Sequence, residues 1–381
     1  MRLVYTGTDG ALYGWQRGGS AATRLTWAWE EPVAGRAPEG LCYGWPTASG
    51  DGHRILTLAR RGRDQHFVYL VDAGGVVAEE VVALGDAAPI YANWSPDGAR
   101  IAILVQRSDT LALEIIDLDG TRVPRPVAHG APLFWSWAPD GRRLAAHCGQ
   151  SARDMSVGGT FLIDAERGGV DEVLSGVPAL YRAPGWSADG RWLAFARVAE
   201  RGTRLVMLDV ASGERCTREL DRGPVAFVWH PRLPMLAYAV APLDAPHVYH
   251  RVVLLDLAAD REQVITRSTL ACAWHPRDPV LFRLAIDERR EALSWERHDT
   301  PDAAVPITRF VPTREIVFAA SFFDQYAASH GPVAPDGSAL AVAGRLVDDA
   351  ETKDPRVYVV PTRATETAVA VGAGVYPVWA A

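Results

Sequence analysis

Trp94-Ser95-Pro96-Asp97-Gly98, followed by the apolar run Ile101-Ala102-Ile103-Leu104-Val105, decides how this chain is read. Proline presets φ at the head of a tight turn, and Asp and Gly accept the geometry that completes it. The residues around it then fall into place. Tyr91 to Trp94 reads as a first strand, Ile101 to Val105 as a buried second, and Leu113 to Leu118 as a third.

The same stretch recurs. Clear copies are Trp137-Ala138-Pro139-Asp140-Gly141 and Trp186-Ser187-Ala188-Asp189-Gly190. Two copies carry His-Pro in the turn, at Trp229-His230-Pro231 and Trp274-His275-Pro276. A degenerate copy begins at Trp45-Pro46 with its turn at Gly50-Asp51-Gly52. Another has lost the tryptophan, at Val333-Ala334-Pro335-Asp336-Gly337, and the last is cut short at Trp379. The anchors 45, 94, 137, 186, 229, 274, 333 and 379 are separated by 49, 43, 49, 43, 45, 59 and 46 residues. A period near 45 with four short strands is that of a propeller blade. Each tryptophan is expected to pack between neighbouring blades. Each turn aspartate is expected to be structural, resembling a metal ligand only if the repeat is overlooked.

These repeats resemble the TolB-type, WSPDG-repeat propeller family, which also supplies the non-catalytic domain of prolyl oligopeptidase-like enzymes. The resemblance spans nearly the whole chain. It implies an all-β, eight-bladed propeller occupying residues 1–381 as a single domain, with seven blades as the alternative if Trp45 or Val333 is a false anchor.

The ring closes through both ends. The blade at Trp379 lacks three strands, and the N-terminus has them: Leu3-Val4-Tyr5, Leu12-Tyr13-Gly14-Trp15 and Thr23-Arg24-Leu25-Thr26. Stitching them together hides the open sheet edges. On this reading the domain is complete and a cleaved leader would remove a needed strand, so a cytoplasmic location is expected.

Composition excludes several classes. A net charge of −7 argues against a nucleic-acid partner. No apolar run is long enough for a membrane helix. Cys42, Cys148, Cys216 and Cys272 form no C-x-x-C pair, so no zinc or redox motif is supported, and such sparse cysteine fits a reducing compartment. There is no G-x-S-x-G nucleophile elbow, P-loop, H-E-x-x-H or dinucleotide fingerprint, and no cofactor is called for.

Candidate binding residues lie just before the anchors, where the chain lines the mouth of the central channel. They are Tyr43, Tyr91, Phe134, Trp135, Tyr181, Arg182, Phe227, His330 and Tyr376. An aromatic rim with few polar groups suits a small molecule or peptide. The 59-residue interval leaves about ten residues over, near Ser321 to His330, expected as a long loop across the same mouth. It brings Asp324, Gln325, Tyr326 and His330, either to contact a ligand or to plug the channel. His247 and His250 are weak metal candidates, because residues three apart on a strand can face different sides.

The function expected is therefore a non-catalytic propeller that binds a protein, peptide or small molecule through the channel mouth. The alternative is a lyase or hydrolase with His330 or His247 as base, Tyr326 or Tyr91 as acid and Arg182 as anion clamp.

Overall fold

The computed structural model describes the chain except residues 27–39, 76–77, 86, 108–109, 152–153, 176, 180–181, 288–291, 349–353, 364–366 and 381. The side chains of 150, 151, 154–157, 171–173 and 175 are likewise left aside. Among the described residues, the strands form five separate four-stranded sheets and one ten-stranded run. Every pairing is antiparallel between strands adjacent in sequence, apart from one closing pair.

That pair is the predicted stitch. Arg2–Gly7 lies beside Val369–Ala380, with Leu3 opposite Trp379, and Leu12–Gln16 and Thr23–Arg24 follow outward. Val369–Ala380 is long enough to serve twice. Its first half pairs with Arg356–Pro361 and its second half with Arg2–Gly7. It thereby joins an outer strand of one unit to the inner strand of the next.

The core lies between sheets. Leu56, Val68 and Leu70 of one sheet pack against Ala92, Ile101, Ile103 and Ala112 of the next. Leu205 and Met207 meet Phe227, Leu236 and Tyr238 in the same way. A middle strand is therefore covered on both faces, which is why Ile101–Val105 is apolar without alternation.

Five first strands end on their anchor tryptophan: Ala88–Trp94, Leu133–Trp137, Gly185–Trp186, Val225–Trp229 and Thr269–Trp274. Most of the anchor indoles, Trp379 included, reach back to the residue before the preceding anchor. Trp229 Nε1 donates to the Gly185 carbonyl at 2.9 Å, Trp274 to Val228 at 3.0 Å and Trp379 to Pro332 at 3.0 Å. Trp137 uses the Asn93 side-chain oxygen at 3.2 Å. Each such bond contributes about 1 kcal/mol beyond the apolar packing.

This ladder confirms Val333 as an anchor and corrects another. Trp94 Nε1 donates to the Thr47 carbonyl at 2.9 Å. The first repeat is therefore anchored on Ala48, where the strand Leu41–Ala48 ends, and not on Trp45. Ser49 Oγ then donates to Asp51 Oδ1 at 2.5 Å, as Ser187 does to Asp189 at 2.6 Å. A register shift between Gly44 and Thr47, with Trp45 at φ 56°, turns the Trp45 indole toward the channel instead.

The turn aspartates are structural, as expected. Asp97 Oδ1 accepts from the Ala99 amide at 3.0 Å, and Gly98 takes φ 68° where a Cβ would be strained. The serine hydroxyls of Ser49 and Ser187 hold Asp51 and Asp189 below the usual carboxylate range. In the His-Pro copies the imidazole replaces the carboxylate. His230 Nδ1 accepts from the amides of Arg232 and Leu233, each at 3.0 Å.

Candidate functional site

The long interval folds as helix where the sequence suggested a loop. After the strand Ala303–Pro312 comes α1 (Arg314–Ser321), then α2 (Phe323–Tyr326). Thr313 caps α1, its hydroxyl accepting from the Ile316 amide at 3.4 Å, and Glu315 sits favourably in the first turn. Ile316, Ala320 and Phe323 recur at helical spacing and join the core. That signal was present in Thr313 to Phe323, whereas the loop expected from Ser321 to His330 covers only its end.

The two helices plug one end of the channel. Trp45 stands at the centre of their contact, its ring 4.4 Å from His330, 5.0 Å from Tyr326 and Tyr376, and 5.8 Å from Tyr91. Gln325 Nε2 donates to the Trp135 carbonyl at 3.2 Å, and the hydroxyls of Tyr91 and Ser329 lie 3.0 Å apart. Arg182 is the chief latch. Its side chain and that of Asp324 are each 2% exposed and pair at 3.1 Å. The guanidinium also donates to the carbonyls of Ser321 and Pro246 and to the Tyr249 hydroxyl.

Several candidates thus meet at the plug, though not as an open rim. Arg182, Tyr91, Asp324, Gln325, Tyr326 and His330 hold the helices against the ring. Arg182 was expected as a free anion clamp, but its charge is already matched by Asp324. Trp135 is 1% exposed and packs on Tyr91. Phe227 is buried in the core between sheets and borders the channel. Phe134 stacks near Phe322. Tyr43 sits elsewhere, edge-on to Tyr69. Tyr181 falls outside the described residues. His247 Nδ1 faces the Ser321 carbonyl and His250 Nδ1 faces Ser268, so the two turn to different partners. Among the described residues no group of three or more His, Cys, Asp or Glu is placed to hold a metal.

Behind the plug lies a cavity of about 660 Å³. Gly50, Pro96, Pro139, Ala188, Pro231 and Pro276 border it. They occupy one equivalent position in successive turns, so the cavity runs from the turn face of the ring to the helices. Ala327 and Ala328, at the end of α2, are exposed along it.

No family model matches the chain, and neither does any curated protein. Solved structures do. The dihydro-heme d1 dehydrogenase NirN, in complex with DHE, aligns at a TM-score of 0.59 and 14% identity, over 99% of this chain and 74% of that one. A prolyl endopeptidase aligns at 0.57 and 13%, over 86% and 49%. The chain is a β-propeller. TolB from Acinetobacter baumannii also matches, at 0.38 and 16%, over 69% of this chain and 63% of that one. The propeller thus spans less than two thirds of that TolB and about half of the endopeptidase. At such identities the likeness concerns the fold alone.

Burial sets the protonation of the propeller's plug. It lowers His330 to about 3 and His147, whose Nδ1 lies 2.7 Å from the Arg182 carbonyl, to about 4. It pushes Tyr91 up to about 12. Both histidines are therefore neutral when folded and protonate on unfolding once the pH falls below about 6.5. Their contribution to stability is full above that value and is lost as pH falls toward 4 and then 3. Each can add a slope of up to about 1.4 kcal/mol per pH unit. Urea unfolding from pH 7.5 to 4 is expected to show this steep loss, and His147→Gln to flatten it. An unchanged slope in the variant would remove His147 from the account.

Proposed function

We propose that this protein is a non-catalytic ligand-binding propeller whose site is the central channel behind the plug. The observation that carries the reading is the cavity itself. Its volume of about 660 Å³ suits a small molecule, and one end is closed by dedicated helices. The mouth once expected to receive the ligand is the end those helices fill, so access is from the turn face. The groups that an enzyme would use as acid, base and anion clamp instead seat the plug, which favours binding over a lyase or hydrolase.

A protein partner is the second reading. On α1, the neighbours Val317 and Phe318 are 40% and 45% exposed, an apolar pair that a partner could cover. Among the described residues, no helix is long and apolar enough to cross a membrane. All four cysteines are free, which favours the cytoplasm.

The channel reading is tested by titrating 2-acetylnaphthalene into the protein by calorimetry. Saturable one-to-one binding is expected, and Ala328→Phe should weaken it about tenfold or more by filling space, without lowering the melting temperature. Binding that is indifferent to Ala328→Phe would place the probe elsewhere. Native mass spectrometry of the purified protein would show any molecule carried from the cell.

A further inference from the structure

A second concavity lies outside the channel. It is a groove of about 530 Å³ between two neighbouring sheets. One wall is the hairpin that joins Trp192–Ala199 to Gly202–Asp209, and the other combines Arg222 and Gly223 with Leu243. Thr203 Oγ1 donates to the Gly223 carbonyl at 3.0 Å and ties the two walls together. Leu243 sits on a loop that is itself fastened at the plug. The Pro246 carbonyl accepts from Arg182, and His247 Nδ1 faces the Ser321 carbonyl. The groove is therefore held open by contacts of its own and flanks the plugged end of the ring.

Its surface combines two features that holding the blades together does not require. The first is apolar. Ten large apolar side chains are exposed among the described residues, and three of them meet here. Val198 at 52% and Leu243 at 55% line the groove, and the Val177 carbonyl accepts from the Val198 amide at 3.0 Å. The second is charge. Arg201 and Arg222 line the groove, both exposed, and neither is ion-paired among the described residues. Around them Arg191, Arg204 and Arg218 hold Asp209, Glu219 and Glu262. Glu200 is the one acidic residue in the lining, so two arginines less one glutamate leave the groove at +1 in a protein of −7.

A guanidinium grips a carboxylate through charge-assisted, often paired hydrogen bonds, and an apolar rim beside it buries an aliphatic side chain. A free small molecule is held best where most of its surface is enclosed, which an open groove does not do. The end of a longer chain needs only its last residues gripped, and a polypeptide C-terminus places a carboxylate next to a side chain.

We propose that this groove captures the C-terminus of a partner polypeptide that ends in an aliphatic residue. Arg201 and Arg222 hold the carboxylate, and Val198 and Leu243 receive the last side chain. The site is separate from the channel and stands whether or not the channel takes a ligand. Binding is non-covalent, and no bond is made or broken.

Four probes test it by calorimetry on the whole chain: acetyl-Gly-Ser-Ala-Val-Leu with a free carboxylate, its C-terminal amide, the free acid ending in serine instead of leucine, and octanoate. The leucine acid is expected to bind one-to-one, with the amide and the serine peptide each about tenfold weaker and octanoate weaker than the leucine acid. Arg222→Ala or Arg201→Ala should bring acid and amide together, and Leu243→Ser should do the same for the leucine and serine peptides. All three positions are exposed, so the melting temperature is expected to hold and to show that the variants are folded. No binding of the leucine acid, equal affinity for acid and amide, or indifference to both arginine variants overturns the site. Octanoate binding tighter than the leucine acid would make the ligand a free aliphatic acid and overturn the polypeptide assignment.

Discussion

Arg182→Ala is expected to lower the unfolding free energy by about 3–5 kcal/mol, because it strands a buried carboxylate. Arg182 and Asp324 are both almost wholly enclosed, and three further groups accept from the same guanidinium. Asp324 can escape its isolation by taking up a proton. Burial already drives that carboxyl upward, against the pull of Arg182. The loss should therefore be smaller in acid and grow as pH rises above the ordinary carboxylate range, since only the unfolded state then ionises freely. Arg182→Met combined with Asp324→Leu removes both charges and should recover most of the stability. Chemical denaturation at pH 5 and pH 8 measures all of this. A single variant as stable as the wild type at pH 8 would mean that the latch does not hold the plug.

The second large effect belongs to the ring. Trp186→Ala should cost about 3–5 kcal/mol, as expected for deleting a buried large aromatic. Trp186 packs with Leu162 of one sheet and Leu193, Phe195 and Val206 of the next. The Arg143 guanidinium lies 5.8 Å over its ring. Unlike Trp229, its indole nitrogen has no hydrogen-bond partner. Trp229→Phe should therefore lose about 1 kcal/mol more than Trp186→Phe, the worth of one hydrogen bond. Thermal or urea unfolding of the three variants checks the order. A near-unchanged melting temperature for Trp186→Ala would show that the anchors do not join the sheets.

Much of the architecture was legible because the repeat is written in residue types with narrow uses. Pro96, Asp97 and Gly98 can hardly do anything but turn, and the apolar run that follows must be covered on both faces. The stitch between Leu3 and Trp379 was legible too, since a unit missing three strands must find them at the other end. Blade anchoring was harder where the tryptophan was lost. Trp45 looked like an anchor because it is a tryptophan at about the right spacing. The Trp94-to-Thr47 bond gives that place to Ala48 and leaves the Trp45 indole for the plug.

The candidate site was legible only in part. The sequence picked out Arg182, Tyr91, Asp324, Gln325, Tyr326 and His330 as residues converging on one end of the channel, and the structure brings them together there. It could not say whether they face a ligand or one another. That depends on side-chain partners contributed by segments as distant as Arg182 and Asp324, and pairing across such separations leaves no local pattern. By itself the sequence determined the repeat, the turns and the closure of the ring, because each follows from backbone geometry and short-range hydrophobic patterning. Only the tertiary structure decided that the extra residues are helices filling the mouth, that Arg182 is a latch, and that the open cavity lies on the turn face. Those outcomes rest on which buried charges and apolar surfaces find each other once the ring has closed.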